Sequence, residues 1–231
     1  MNRNYKHAAA VELEGRFGVA LDGKPLSTPL GHSVAVPSRA LAEAIAEEWR
    51  AQGEEIRPRS MPLTQIAVTA LDRVEGRREA VIDELAAYGS TELLCYHAEG
   101  PAELARRQEE AWQPVLDWLA LRFNAPLAVT RGVVPKPQQP GALAALRAAL
   151  TALGSFELAA LALATQASGS IALALALSEE RIDAAAAWSL SLLDELYQAE
   201  LWGEDTEAAA RRRSIREDLA AAERFVLLLQ G

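Results

Sequence analysis

Apolar side chains alternate with small or polar ones through the N-terminal segment, which is the pattern of half-buried β-strands. The alternation is clearest over residues 17–21 and predicts one strand there. Asp22-Gly23 then supplies the positive φ angles of a tight hairpin turn, and residues 24–26 begin the returning strand. A further short strand is predicted over residues 33–36. The segment 11–36 therefore indicates a small β layer.

Farther along, the apolar spacing changes to the three- and four-residue period of helices. Ser38 is suited to be the N-cap of a helix over residues 39–52, and Gly53 to end it. The same period predicts helices over residues 61–71, 77–87 and 101–123. Pro114 lies inside the last of these. Because proline lacks a backbone donor, we expect a kink or a break near Ala111.

Two apolar runs predict strands between these helices. Residues 91–96 contain too many consecutive apolar side chains for an exposed strand, which makes Cys95 a core thiol, and residues 127–134 predict a second strand. A reactive thiol is not indicated, since no helix N-terminus and no base apart from His97 stands beside it. We expect His97 itself at the surface, at the end of the first of these strands.

The proline-rich segment 135–141 is the clearest linker and marks the predicted domain boundary. Behind it every apolar pattern is helical, with Asp183 as a predicted N-cap. The predicted helices cover residues 142–153, 156–166, 170–177, 183–201 and 205–229. The predicted fold class is α+β: a small β-containing N-terminal domain with helices over residues 1–138, followed by an all-helical C-terminal domain over residues 139–231.

Composition limits the class of protein. Half of the 231 residues are hydrophobic, which is enough for a substantial core. A net charge of −9 and a pI near 5.0 argue against nucleic-acid binding, which needs a basic face. The single cysteine excludes a disulfide framework and a multi-cysteine zinc site. Because the N-terminus lacks the apolar core of a signal peptide, we expect a cytoplasmic protein.

The Leu- and Ala-rich stretch 156–177 has about the length of a membrane span. Polar side chains and a Ser-Gly-Ser break interrupt it, however, and alanine is only weakly lipophilic. We therefore predict two packed helices there and no stable insertion into a membrane.

Negative charge is concentrated near the end of the chain. Nine carboxylates fall between Glu179 and Glu207 against one base, Arg181. Nine minus one is a local excess of eight negative charges, while the whole chain carries −9. The stretch closes on residues 201–208, where Trp202 stands among the acids. Charge this concentrated beside an indole predicts a surface that contacts a partner.

Ordinary helix termination explains part of this segment. Gly203 is suited to be the left-handed residue after one helix and Asp205 the N-cap of the next, with Glu207 in the first turn. Trp202 beside a helix break is either a surface residue or a plug in the core. Glu204 has no helical role that the sequence indicates, and it is the first candidate for contacting a partner.

The sequence predicts no catalytic, cofactor-binding or metal site. It lacks the glycine-rich phosphate loops, the H-E-x-x-H zinc motif and the G-x-S-x-G nucleophile motif. Its histidines, His7, His32 and His97, stand in no catalytic pattern. Adjacent carboxylates on a helix point in different directions and are usually solvated. Glu204-Asp205 is the exception, because at a helix break two neighbouring side chains can converge on one partner, such as an arginine. A Mg²⁺ ion stays open as an alternative partner, although the spacing indicates no further oxygen ligands.

Six segments in order carry a resemblance to a known family: Lys24-Pro25-Leu26-Ser27-Thr28-Pro29, Glu48-Trp49 within residues 41–52, Met61-Pro62-Leu63-Thr64, residues 91–96, Trp112 with Trp118, and residues 202–208. Together they resemble the assembly chaperone dedicated to the α subunit of F-type ATP synthase, known from mitochondria and alphaproteobacteria. The resemblance covers almost the whole chain. Two positions depart from the family pattern, Glu92 and Val68, where the family commonly has Asp and Asn.

The resemblance implies a non-catalytic protein that uses no cofactor and holds the free α subunit until the β subunit replaces it. It also implies a β-containing N-terminal part and a helical C-terminal part. The acidic residue of the last segment is implied to matter for function, and Glu204 is the matching position. We therefore predict that Trp202, Glu204, Asp205 and Glu207 form or support the partner-binding patch.

Two other functions stay open from the sequence. A small cytoplasmic hydrolase using the clustered carboxylates would need a pocket that holds two converging acids. A structural subunit of a stable complex would remain in the finished enzyme, whereas a chaperone would be absent from it.

Overall fold

The computed structural model describes residues 2–13, 15–132 and 134–231. Contacts divide the chain into two compact units. The first unit comprises the chain through Arg78 with Gly154–Ala160 and Ala221–Gly231, and the second comprises Glu79–Leu153 with Leu161–Ala220. The domain boundary predicted between residues 138 and 139 concerns continuous segments of sequence, and it stays a prediction.

In the described part of the first unit, four short strands form one antiparallel sheet centred on β2. The strands are β1 (Ala8–Leu13), β2 (Arg16–Leu21), β3 (Lys24–Pro25) and β4 (Ala35–Val36). β1, β3 and β4 each pair with β2. Asp22 and Gly23 have φ angles of 49° and 80°, as a two-residue turn between antiparallel strands requires. The predicted β layer and hairpin are confirmed.

Helix α1, Arg39–Arg50, contributes Leu41, Ile45 and Trp49 to the core of the first unit. Ser38 caps it as predicted, because the backbone N–H of Leu41 donates a hydrogen bond to the Ser38 hydroxyl oxygen at 3.0 Å. The apolar positions of this helix recur at helical spacing. Its buried side chains and its N-cap therefore both support the predicted helix.

Helix α2, Pro62–Thr69, begins without a capping side chain of its own, and Glu48 of α1 takes that role. The backbone N–H groups of Leu63 and Thr64 each donate to the Glu48 carboxylate at 2.8 Å. Burial raises the pKa of Glu48. A π-helical turn, Ala70–Val74, joins α2 to α3, Glu75–Ala87. The two helices predicted in this region are confirmed, with a different junction.

The strand predicted over residues 91–96 is wrong. The chain forms 3₁₀ turns at Tyr88–Thr91 and Leu93–Cys95, and only Tyr96–His97 is a strand, β5. Leu94 and Cys95 of this run are buried without being extended, and Glu92, its second residue, caps the second 3₁₀ turn through the Leu94 N–H. Cys95 is buried as predicted.

The second strand of this region is also shorter than predicted. Only Thr130–Arg131, β6, is a strand within the described part of residues 127–134, and it pairs in parallel with β5. His97 is 4% exposed, so its predicted surface position is wrong as well. It packs against the ring of Trp112 at 5.6 Å between centroids.

Helix α4, Ala102–Phe123, continues through Pro114, so the predicted break is absent from this described helix. Pro114 lies on the exposed side, while Trp112, Leu116 and Leu119 anchor the opposite side in the core of the second unit. Packing on both sides of the proline maintains the helix where local propensity would interrupt it. The helix ends at Asn124, which has a φ of 55°.

The rest of the chain is helical, as predicted. The elements are α5 (Pro140–Thr151), α6 (Ser155–Ser168), α7 (Ile171–Ser178), α8 (Ala184–Ser191), α9 (Leu193–Trp202) and α10 (Thr206–Leu229). Asp183 caps α8, since the Ala186 N–H donates to its carboxylate at 2.7 Å. One helix predicted over residues 183–201 is two helices, because Leu192 leaves the helical conformation with φ −113° and ψ 15°.

No helix among the described residues is both long enough and apolar enough to cross a membrane. The stretch proposed as two packed helices forms α6 and α7, and residues Ile171–Leu177 are buried throughout. Short strands followed by a mostly helical remainder give an α+β fold, which confirms the predicted class.

Candidate functional site

The predicted partner-binding residues lie at the α9–α10 joint, residues 201–207, in the second unit. Gly203 ends α9 with a φ of 88°, a conformation that a side chain would strain. Asp205 begins α10, because the Ala208 N–H donates to its carboxylate at 2.9 Å. The prediction that Gly203 ends one helix and Asp205 caps the next is confirmed. At this short joint, Gly203 ends α9 and Asp205 caps the start of α10.

Trp202 lies at the surface. Its exposed fraction is 79%, and that of the preceding Leu201 is 54%. The alternative that Trp202 plugs the core is therefore wrong. A tryptophan carries a large apolar surface, and leaving it in water is unfavourable unless a partner covers it. Large aromatic anchors of this kind are enriched where proteins bind each other.

Side chains from α4 hold α9 in place. The amide of Gln108 donates to Asp194 at 2.6 Å, and Arg107 pairs with Glu200 at 2.8 Å. Trp112 donates through its indole N–H to the carbonyl oxygen of Leu190 at 3.0 Å, just before α9. These contacts span the helix from its start to its last turn. Trp202 therefore projects from a fixed helix end.

Glu204 has a structural partner that the sequence does not specify. Arg212 of α10 donates from Nη2 to the Glu204 carboxylate at 2.7 Å. The Arg212 side chain is 7% exposed, whereas that of Glu204 is 66% exposed. The indole N–H of Trp188 donates to the Arg212 carbonyl oxygen at 2.8 Å. Glu204 is thus the outer member of an ion pair whose inner member is almost buried.

The local excess of acid is much smaller at the surface than in the sequence. Four of its carboxylates pair with arginines: Glu179 with Arg122, Glu195 with Arg211, Glu200 with Arg107, and Glu204 with Arg212. Two of these arginines come from α4, far away in sequence. Glu207 is exposed and forms no ion pair with any described residue. The joint keeps a modest negative charge around Trp202.

The adjacent carboxylates of Glu204 and Asp205 do not share a partner. Glu204 pairs with Arg212, and Asp205 accepts from the backbone of α10. In the described part of the chain, no three His, Cys, Asp or Glu side chains are grouped as a metal site requires. General acid and base groups must reach one substrate, whereas these two carboxylates are held by two different partners.

A second polar cluster of the second unit was also missed. Glu92 is fully buried, and its carboxylate accepts hydrogen bonds from the Ser170 hydroxyl and from the N–H groups of Ile171 at 3.0 Å and Ala172 at 3.2 Å. It therefore serves the N-terminus of α7 together with Ser170. A charged residue inside the apolar run 91–96 was the available signal, because buried carboxylates need several donors.

Comparisons with known proteins identify relatives of this chain. The model of the family described as ATP12 chaperone protein matches residues 2–120. The protein atp12, mitochondrial, of Schizosaccharomyces pombe is 26% identical over 213 residues, which cover 87% of this chain and 73% of that protein. The family match ends before the α9–α10 joint, so it does not itself describe Trp202 or Glu204.

Solved structures are similar over nearly the full length. Atp12 from Paracoccus denitrificans is 43% identical with a TM-score of 0.94, covering 99% of this chain and 98% of that one. A mutant of the same protein is 42% identical with a TM-score of 0.94, covering 99% and 97%. The Atu1473 protein of Agrobacterium tumefaciens is 39% identical with a TM-score of 0.93, covering 99% and 86%. These similarities include the joint and the helices around it.

Proposed function

The chain belongs to the ATP12 chaperone family of ATP synthase assembly factors, and we propose that its client is the free α subunit of the F-type enzyme. The chain covers the α subunit until the β subunit takes its place. An unassembled subunit exposes apolar surface that its neighbour would bury, and such surface aggregates. Holding it reversibly prevents this loss. In a bacterium the encounter takes place in the cytoplasm.

The observation that carries this proposal is the exposure of Trp202, 79%, on a helix end fixed by α4. A rigid aromatic side chain loses little conformational entropy when it is covered. Leu201, which is 54% exposed, adds a second apolar side chain to the last turn of α9. The joint therefore has the composition of an interface centre.

The carboxylates at the joint have different roles in this proposal. Glu204 and Glu207 supply a polar, acidic rim to Trp202, and Asp205 fixes the direction of α10 by capping it. Interfaces commonly combine an apolar centre with a polar rim, and the rim sets orientation and association rate. A small patch of this kind suits a contact that the β subunit must later displace.

A pull-down under native conditions tests the proposal. The tagged chain is co-expressed with the α subunit, with and without the β subunit. We expect the α subunit to co-purify when β is absent and to be released when β is present. The assembled ATP synthase should contain none of the chain, because a structural subunit would remain there.

Two variants assign the contact to the joint. Trp202→Ala should weaken α-subunit association by about tenfold or more, as truncation of an aromatic hot spot does. Leu121→Ala is the matched control, because Leu121 on α4 is 88% exposed and outside the joint. Equal retention of the α subunit by wild type and Trp202→Ala would contradict the placement of the site. Failure of the wild-type chain to retain the α subunit would contradict the function.

A further inference from the structure

We infer that Arg212 is a positioning residue, which holds the Glu204 carboxylate so that its free oxygen accepts a basic side chain of the client beside Trp202. The inference rests on the proposed function, since it concerns how the same site recognises its partner. It adds one residue that the sequence does not single out and one chemical requirement on the client surface.

The position of Arg212 is the first argument. An arginine is rarely as buried as 7% exposed unless it is paired. Here Nη2 lies 2.7 Å from Glu204 and Nη1 lies 3.9 Å from Glu195. Trp188 also fixes the backbone of Arg212. The guanidinium is therefore held from its backbone to its tip, as a positioning group must be.

Only one of the two Glu204 carboxylate oxygens has a hydrogen-bond partner among the described residues. Arg212 binds Oε1, and Oε2 forms no hydrogen bond with any described residue. The Glu204 side chain remains 66% exposed. An exposed glutamate normally loses rotamer freedom when it binds, and holding one oxygen in advance reduces that loss. Arg212 therefore prepares the outer oxygen to accept a further donor.

The side chains around Glu204 indicate which client group its free oxygen would accept. Leu201 and Trp202 supply apolar and aromatic surface, and Glu207 adds a second exposed carboxylate near the start of α10. An arginine or lysine of the client satisfies this combination, because its cation pairs with a carboxylate while its stem or guanidinium packs on an indole. The client surface should accordingly present a basic residue next to an apolar one.

The Glu204–Arg212 pair could also serve stability alone, without contacting the client. Glu204 neutralises Arg212, and a variant of either residue can lower stability without touching the client. The test therefore measures association of the isolated α subunit with variants shown to be folded, well below their unfolding temperatures. The variants are Glu204→Gln, Arg212→Gln, Arg212→Lys and the double variant Glu204→Gln/Arg212→Gln.

We expect Glu204→Gln and Arg212→Gln each to weaken α-subunit association by about tenfold, a typical effect of losing one charged interfacial contact. The double variant should be no weaker than either single variant, because both remove the same positioned oxygen. Arg212→Lys should keep part of the affinity, and it carries the test if Arg212→Gln does not fold. Arg213→Gln is the control, since the neighbouring Arg213 is exposed.

Salt provides a readout that a structural role would not change. Association of the wild-type chain should weaken from about 50 to about 500 mM salt, as an exposed ion pair is screened. The dependence should be flatter for Glu204→Gln and Arg212→Gln alike.

Unchanged affinity and salt dependence in folded Arg212→Gln or Arg212→Lys, with a loss in Glu204→Gln, would overturn the role of Arg212 alone. Unchanged affinity in Glu204→Gln would overturn the inference as a whole, whereas unchanged affinity in Trp202→Ala would overturn the proposed site. If the Arg213→Gln control weakened binding as much as Arg212→Gln, the loss would come from the net charge of α10. That result would also overturn the positioning role.

Discussion

The buried carboxylate of Glu92 accepts a hydrogen bond from the hydroxyl of Ser170, 78 positions later in the chain. Through this contact and the N–H groups of Ile171 and Ala172, Glu92 joins the 3₁₀ turns before β5 to the start of α7. Ser170 also caps α7 through the Leu173 N–H at 3.0 Å. One carboxylate thus organises two segments of the second unit.

Replacing Glu92 by glutamine should destabilise the protein by about 2–3 kcal/mol, because an amide NH₂ would face backbone donors that are then left unsatisfied in the core. Chemical denaturation measures the loss. Glu180→Gln is the control, as it removes the same charge at an exposed position of the second unit. An equal, small effect of the two substitutions would contradict the role given to Glu92.

The contribution of Glu92 should depend on pH. Burial raises the pKa of Glu92 above its ordinary value of 4.5. The folded state then binds a proton more readily than the unfolded state, so the contribution is complete below about pH 4.5 and is lost as the pH rises through the folded pKa. The difference in unfolding free energy between wild type and Glu92→Gln should therefore increase from pH 7.5 to pH 5.

Unfolding curves of both proteins at the two pH values provide this measurement, with Glu180→Gln again as the reference. A difference that increases towards alkaline pH would mean that the hydrogen bonds to Glu92 outweigh its burial. In that case the carboxylate would be fully ionised in the folded protein.

Cys95 should report on opening of the same region. Burial raises its pKa to about 12, and the thiolate is the form that reacts with disulfide and alkylating reagents. We expect labelling at pH 8 to be slow in the native protein and to accelerate in parallel with unfolding by denaturant. A labelling rate in buffer equal to that of the denatured chain would contradict this. Glu92→Gln should accelerate the native reaction.

Elements determined by neighbouring residues could be predicted from the sequence. Examples are the α1 helix with its Ser38 cap, the Asp22-Gly23 turn, and the helix end and start at Gly203 and Asp205. Each depends on one backbone conformation or one hydrogen bond spanning a few residues. The alternation of apolar positions likewise predicted where β2 would lie.

Elements determined by distant contacts could not be predicted in the same way. The run 91–96 bends into 3₁₀ turns around Glu92, whose partners follow α6. The acidic excess is reduced by Arg107 and Arg122 of α4, which no count along the sequence brings near α9. Arg212 stands eight positions after Glu204, beyond the usual helical spacing of paired side chains. Tertiary packing decided the first two, and the path of the chain from the joint into α10 decided the third.

Charge reversal at Glu204 should affect stability as well as association. Glu204→Lys places a cation beside Arg212, whose side chain is 7% exposed, and we expect the free energy of unfolding to fall by about 1–2 kcal/mol. Glu204→Gln should lose less than about 1 kcal/mol, because the exposed side of the pair is well solvated. Thermal and chemical unfolding measure both. Trp202→Ala, at an exposed position, should stay within about 0.5 kcal/mol of wild type.

The background Arg212→Met separates repulsion from recognition, since methionine fills much of the same space without the charge. If repulsion causes the instability of Glu204→Lys, the additional loss should disappear in that background. Association with the α subunit should nevertheless remain weak there, because the outer carboxylate is still missing. Recovery of both stability and association would show that residue 204 only serves Arg212, and client recognition would then have to lie elsewhere on the surface.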